Sequence, residues 1–195
     1  KKIQNKKKSG KYAVFLDLPG PYFANDYTLF NYKINHNVKS WYSDLNSYLR
    51  NIEKSFNLKI IIIPHPKVRQ IKNPMYDKGL RVSKNINATS MLIPNCEFVL
   101  SIAGSTSVSY AVANKKPVIL LYNNQIVKNQ KRIYFHTKNM AEELDAALIN
   151  INHKYEKKKI LKKINYKNYN KYKFDYLTSK KISKKLNYEI IDKIL

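Results

Sequence analysis

Four consecutive isoleucines, Ile60 to Ile63, end a strand-like run that begins at Leu58 and lead straight into Pro64-His65-Pro66. A run this apolar and β-branched fits a strand covered on both faces, since a half-exposed strand would alternate apolar with polar. Three further segments have the same character: Tyr12 to Asp17, Phe98 to Ile102 and Pro117 to Tyr122. Between them lie stretches of helical period. Trp41, Leu45, Tyr48, Leu49, Ile52 and Phe56 place an amphipathic helix over residues 39–56. A short helix suits residues 88–94, a second suits Ser105 to Asn114, and Asn139 with Glu142 reads as a capping box opening a helix over 140–150. Strands alternating with helices predict an α/β fold: a Rossmann-like parallel sheet with right-handed crossovers and helices on both faces.

The alternation divides the chain. Residues 1–10 read as a basic N-terminal tail or linker, residues 11–151 as the Rossmann-like domain, and residues 152–195 as Lys- and Tyr-rich C-terminal helices. In the last part Tyr166, Tyr169, Tyr172 and Tyr176 recur at helical spacing, and Ile182, Leu186, Ile190 and Ile194 do so further on. These faces are expected to pack on the sheet or a partner domain; a Tyr stripe with interleaved Lys is also compatible with a membrane surface.

Of the 195 residues 44% are hydrophobic, too many for a disordered chain. No apolar run is long enough to span a bilayer, and no secretory signal is recognisable. The lone Cys96 excludes an internal disulfide, fits a reducing, cytoplasmic compartment, and reads as core filler. The net charge of +24 attracts nucleic acid, anionic lipid or phosphorylated substrates. The joint abundance of Lys, Asn, Ile and Tyr also fits a compositional bias, and the sequence leaves both explanations open.

Ligands of a parallel α/β sheet bind beyond the carboxyl ends of its strands. Three candidates fall there: Asp17 with Asp26 in the adjoining loop; His65-Pro66 with Lys67 and Arg69; and the turn Ala103-Gly104-Ser105-Thr106-Ser107. In that turn backbone N–H groups, a helix dipole and three hydroxyls converge, as a phosphate site requires. Each has a plainer role available: a strand-end turn for Asp17, a structural ring for His65, an N-cap for Ser105. Their shared edge favours a site. The fingerprints GxGxxG, GxxxxGK[ST] and GxSxG are missing. His36, His65, His136 and His153 show no metal-ligand spacing, and no Asp-x-Asp pair occurs. Neither a metal nor a cofactor is expected.

The pairing of "HPK" after one buried strand with "GSTSVSYAVANKKPVILL" after another resembles bacterial surface-polysaccharide glycosyltransferases. More narrowly it looks like those using CMP-activated sugars, the sialyltransferase-like and Kdo-transferase-like enzymes of the two-domain GT-B fold. "YAVFLDLPGPYFAND" is similar to the start of their C-terminal, donor-binding half. The resemblance covers residues 12 to about 125. It implies a metal-independent transferase with a nucleotide-sugar donor, CMP-linked, and a glycan or lipid-linked acceptor. It also implies an acceptor-binding N-terminal domain beyond this chain, and peripheral contact with the inner membrane. His65 inherits the nucleotide or phosphate contact, with Pro66, Lys67 and Arg69 beside it, and Gly104, Ser105, Thr106 and Ser107 inherit the phosphate cluster. Asp17 and Asp26 are the candidate catalytic carboxylates, although the base of such enzymes usually comes from the other half. CDP-glycerol-type glycerophosphotransferases carry comparable signals, whereas the Gly-rich, Glu-containing turn of UDP-GlcNAc 2-epimerases is not matched. A basic nucleic-acid-binding module is the alternative class; it is disfavoured because the cations are dispersed and RNA-binding motifs are missing.

Overall fold

The computed structural model describes residues 11–21, 36–68, 75–154 and 157–180. Six strands build its sheet: β1 (Tyr12–Leu16), β2 (Lys59–Ile63), β3 (Arg81–Val82), β4 (Val99–Ile102), β5 (Val118–Tyr122) and β6 (Ala147–Asn150). Their order is β3-β2-β1-β4-β5-β6, and every pairing is parallel. This is the Rossmann-like arrangement. Strand order reverses between β1 and β4, so the connections leaving those two strands diverge and open a crevice at their carboxyl ends.

The continuous apolar runs follow from the layering. Ala13, Phe15, Ile60, Ile62, Leu100, Ile102, Ile119 and Leu121 face one core, and Val14, Leu16, Ile63, Val99 and Leu120 face the other. Helix α1 (Val38–Phe56) covers the first face with Trp41, Leu45, Leu49 and Ile52, all buried. Each such side chain contributes about 1.5–3 kcal/mol on burial. Asn37 caps α1 by accepting from the Ser40 N–H at 3.0 Å, and Asn57 ends it in the left-handed region at φ 49°. The buried Glu53 carboxylate accepts from the Ile60 N–H at 2.9 Å and from Arg50 at 3.2 Å, fixing α1 against the start of β2.

The second face is covered by α2 (Ala88–Leu92), α3 (Val108–Ala113), α5 (Lys131–Leu144) and α7 (Tyr166–Tyr172). Between β5 and α5 lies α4 (Asn124–Asn129), and α6 (Lys157–Ile160) precedes α7. The tyrosine stripe divides. Tyr169 and Tyr172 are buried, with the Tyr169 hydroxyl donating to the Lys116 carbonyl at 3.0 Å, while Tyr166 and Tyr176 are 57% and 60% exposed. A π-helical turn over 173–177 rotates Tyr176 off the buried face, where its hydroxyl meets Glu143 at 2.9 Å. The stretch holding Ile182 to Ile194 lies outside the described residues.

Two expectations are corrected. There is no helix over 140–150: α5 runs through Asn139 and Glu142, Asp145 stops it at φ 51°, and residues 147–150 are β6. The apparent capping box is therefore mid-helix. Likewise α3 starts at Val108 rather than Ser105, leaving 105–107 as a turn. Among the described residues no helix is long and apolar enough to cross a membrane.

Candidate functional site

At the carboxyl edge of the sheet, Leu18 and Pro19 after β1, His65 after β2 and Ala103-Gly104-Ser105 after β4 face the α4–α5 junction. Together with Lys128 to Ile133 and His136 they enclose a cleft of about 640 Å³. This is the switch-point crevice that the strand order requires.

The floor is held tightly. Ala103 adopts φ 65°, a left-handed conformation that costs a residue with a Cβ about 1–2 kcal/mol. Its N–H donates to the Leu121 carbonyl at 3.0 Å, and its own carbonyl accepts from the buried Ser101 hydroxyl at 3.0 Å. The next N–H, of Gly104, donates to Thr137 Oγ1 at 3.0 Å, and that hydroxyl donates to the Ile133 carbonyl at 2.7 Å. The loop after β4 is thus fastened to α5. Gly104 also packs directly under the His136 ring, leaving no room for a side chain.

The wall is cationic. Lys128, Lys131, Arg132, His65 and His136 line the cleft, with no Asp or Glu among the described lining residues. Helix α5 opens on Lys131-Arg132 and has no acidic residue in its first turn. Cations at the positive end of a helix dipole repel it, and a bound anion offsets both. His65 Nδ1 accepts from the Lys67 N–H at 3.3 Å, so in the neutral ring the proton sits on Nε2.

The residues singled out from the sequence separate accordingly. His65, Gly104 and Ser105 line the cleft; Pro66, Lys67, Thr106 and Ser107 do not. Ser105 Oγ accepts from the Ser107 N–H at 3.2 Å, closing the turn rather than capping a helix, and Ser107 makes no side-chain cap bond. Asp17 lies behind Leu18, accepting from the Leu18 N–H at 2.9 Å and from the Tyr76 hydroxyl. Burial pushes its carboxyl up to about 7, against the pull of those two bonds. Asp26 and Arg69 lie outside the described residues. Among the described residues no group of three or more His, Cys, Asp or Glu side chains is placed to hold a metal ion.

Lys128, Gln130, Lys131, Arg132 and His136 were not anticipated. Their signal was present as the basic run VKNQKR shortly after β5, in a stretch whose Asn and Gln content looks loop-like.

No family model matches the sequence, and no curated protein matches it. Among solved structures, homoserine dehydrogenase of S. aureus crystallised at pH 6.0 is similar at 17% identity with a TM-score of 0.36. The same enzyme at pH 6.5 scores 0.35 at 17% identity. Each match covers 72% of this chain and 32% of the dehydrogenase, so the chain spans about a third of that protein's length. At these scores the likeness carries nothing about reaction or substrate.

Proposed function

We propose that this chain is the donor-binding part of a metal-independent glycosyltransferase, holding the phosphate of a nucleotide-activated, CMP-linked sugar in the switch-point cleft. The observation that supports this most is the described lining: three cations and two histidines, with no carboxylate among the described residues, at the edge where a Rossmann-like sheet takes ligands. The absent GxGxxG turn after β1 argues against a dinucleotide. When the bond between sugar and phosphate breaks, negative charge collects on the departing nucleotide. Fixed cations and histidine N–H groups stabilise that charge, and a histidine is suited to protonating it. Among the described residues of this lining no carboxylate is placed to act as a base, and the buried Asp17 acts instead on the shape of the loop after β1.

Calorimetric titration of CMP, UDP and GDP tests the proposal. CMP is expected to bind most tightly. His65→Ala and Ser105→Ala are each expected to weaken it roughly tenfold, the loss of about one charge-assisted hydrogen bond. Equal affinity for all three nucleotides would remove the CMP assignment, and no binding of any would remove the nucleotide.

A further inference from the structure

We propose that Gln130 is a ligand-contacting residue, which holds a phosphoryl group at the N-terminus of α5. The proposal deepens the reading of the cleft as a phosphate site and rests on it.

Gln130 occupies the N-cap position of the 14-residue α5, yet its side chain makes no cap bond. It lines the cleft, is only 6% exposed, and neither its Nε2 nor its Oε1 has a hydrogen-bond partner. Buried carboxamides are almost always paired, because an unmet polar group forfeits its bonds to water. The contrast with Gln125, in the same segment, is direct. Its Oε1 accepts from the Asn37 N–H at 2.8 Å and its Nε2 donates to the Asn37 carbonyl at 3.2 Å, joining α4 to the start of α1. Gln125 is thus satisfied by the protein. Gln130 is not.

Its surroundings specify the missing partner. Lys128 and Lys131 flank it along the chain and line the same cleft, and α5 points its positive end there. An oxyanion accepting from the Gln130 Nε2–H would complete the carboxamide, neutralise cations that repel the helix dipole, and leave Oε1 to accept from a hydroxyl or amide of the same ligand. His36 lies beside Gln125 and Gln130, near enough for both amides to offset part of the burial that lowers its pKa, but neither closes a hydrogen bond to its ring.

The test is calorimetric titration of pyrophosphate and of CMP into the full chain and into Gln130→Leu, with the Tm of each protein recorded without ligand. The substitution leaves net charge unchanged, so indiscriminate attraction to a +24 protein is the same in both. The expected result is pyrophosphate affinity lowered roughly tenfold, one hydrogen bond to a charged group, with Tm raised by roughly 2–4 °C as an unmet polar group is removed. Should Gln130→Leu not fold, Gln130→Asn, a shorter carboxamide, is expected to lose the same affinity. Pyrophosphate bound equally by wild type and variant would overturn the proposal whatever CMP does. Pyrophosphate that binds wild type and weakens in the variant, with no CMP binding, would sustain the Gln130 site and sink the nucleotide. Binding of neither probe would overturn both.

Discussion

A Cβ built on Gly104 would lie 2.6 Å from Nδ1 and 2.9 Å from Cε1 of His136. One strand-end loop and one helix thus meet without a side chain between them, and the imidazole forms part of the cleft because glycine leaves it room.

Gly104→Ala should therefore separate folding from binding. The atoms displaced belong to the end of an exposed side chain, so the cost in stability is expected to stay under about 1 kcal/mol. The swung ring and the added methyl should lower CMP affinity by roughly tenfold. His136→Ala in the Gly104→Ala background should recover the lost stability but not the binding. Thermal melts and titrations of the two singles and the double variant measure the coupling.

Asp17 should give the protein a pH-dependent stability of defined sign. Burial raises its carboxyl from 3.8 to about 7, so between those values the folded protein holds a proton that the unfolded chain releases. The resulting stabilisation is fully present below about pH 4 and is lost as pH rises through about 7. Asp17→Asn stays neutral throughout. Its Tm should gain on that of wild type from pH 4 to 7 and hold a constant lead above. Tyr76→Phe removes a donor that favours the carboxylate, so it should move the midpoint upward. Scanning calorimetry across this range reads both.

The divided tyrosine stripe makes a paired prediction. Tyr169→Ala empties a buried site and strands the Lys116 carbonyl, costing about 3–5 kcal/mol. Tyr166→Ala, 57% exposed on the same helix, should remain within about 0.5 kcal/mol of wild type. Denaturant midpoints distinguish this from a stripe that packs on the sheet along its whole length.

Lys115 sits at φ 53° just beyond α3, where the following N–H of Lys116 donates to the Ala111 carbonyl at 2.9 Å. Glycine is the residue that takes this helix-ending conformation without strain. Lys115→Gly should stabilise by about 0.5–1 kcal/mol, a rise in Tm of roughly 1–4 °C. Lys115→Val should lower it.

The four strands read from sequence were legible because each lies between two helical layers, which removes polar positions from both faces. β3 was not: both of its residues, Arg81 and Val82, are exposed at the sheet edge. β6 is the other edge, and its Leu148 to Asn150 are only partly buried. Asp145 ends the helix before it in a conformation more often taken by glycine, so no Gly or Pro marked the boundary. The cleft divided in the same way. Its half from β1, β2 and β4 was visible because Pro19, Pro64 and Gly104 punctuate buried strands. The half from α4 and α5 was hidden because a helix opening on Lys131-Arg132 contradicts the usual charge preference at an N-terminus. That contradiction, once the helix is located, is what identifies the wall.

The chain's single tryptophan, Trp41, is buried edge-on to His36, with ring centroids 5.1 Å apart at 67°. Because His36 adjoins Gln130, the indole stands one ring away from a residue that lines the cleft. Any event that reorders Gln130 or changes the charge on His36 alters the field and the quenching around that one indole. The fold has thereby placed an intrinsic fluorophore beside its own cleft, and occupancy there can be followed as a shift in emission from the unlabelled protein.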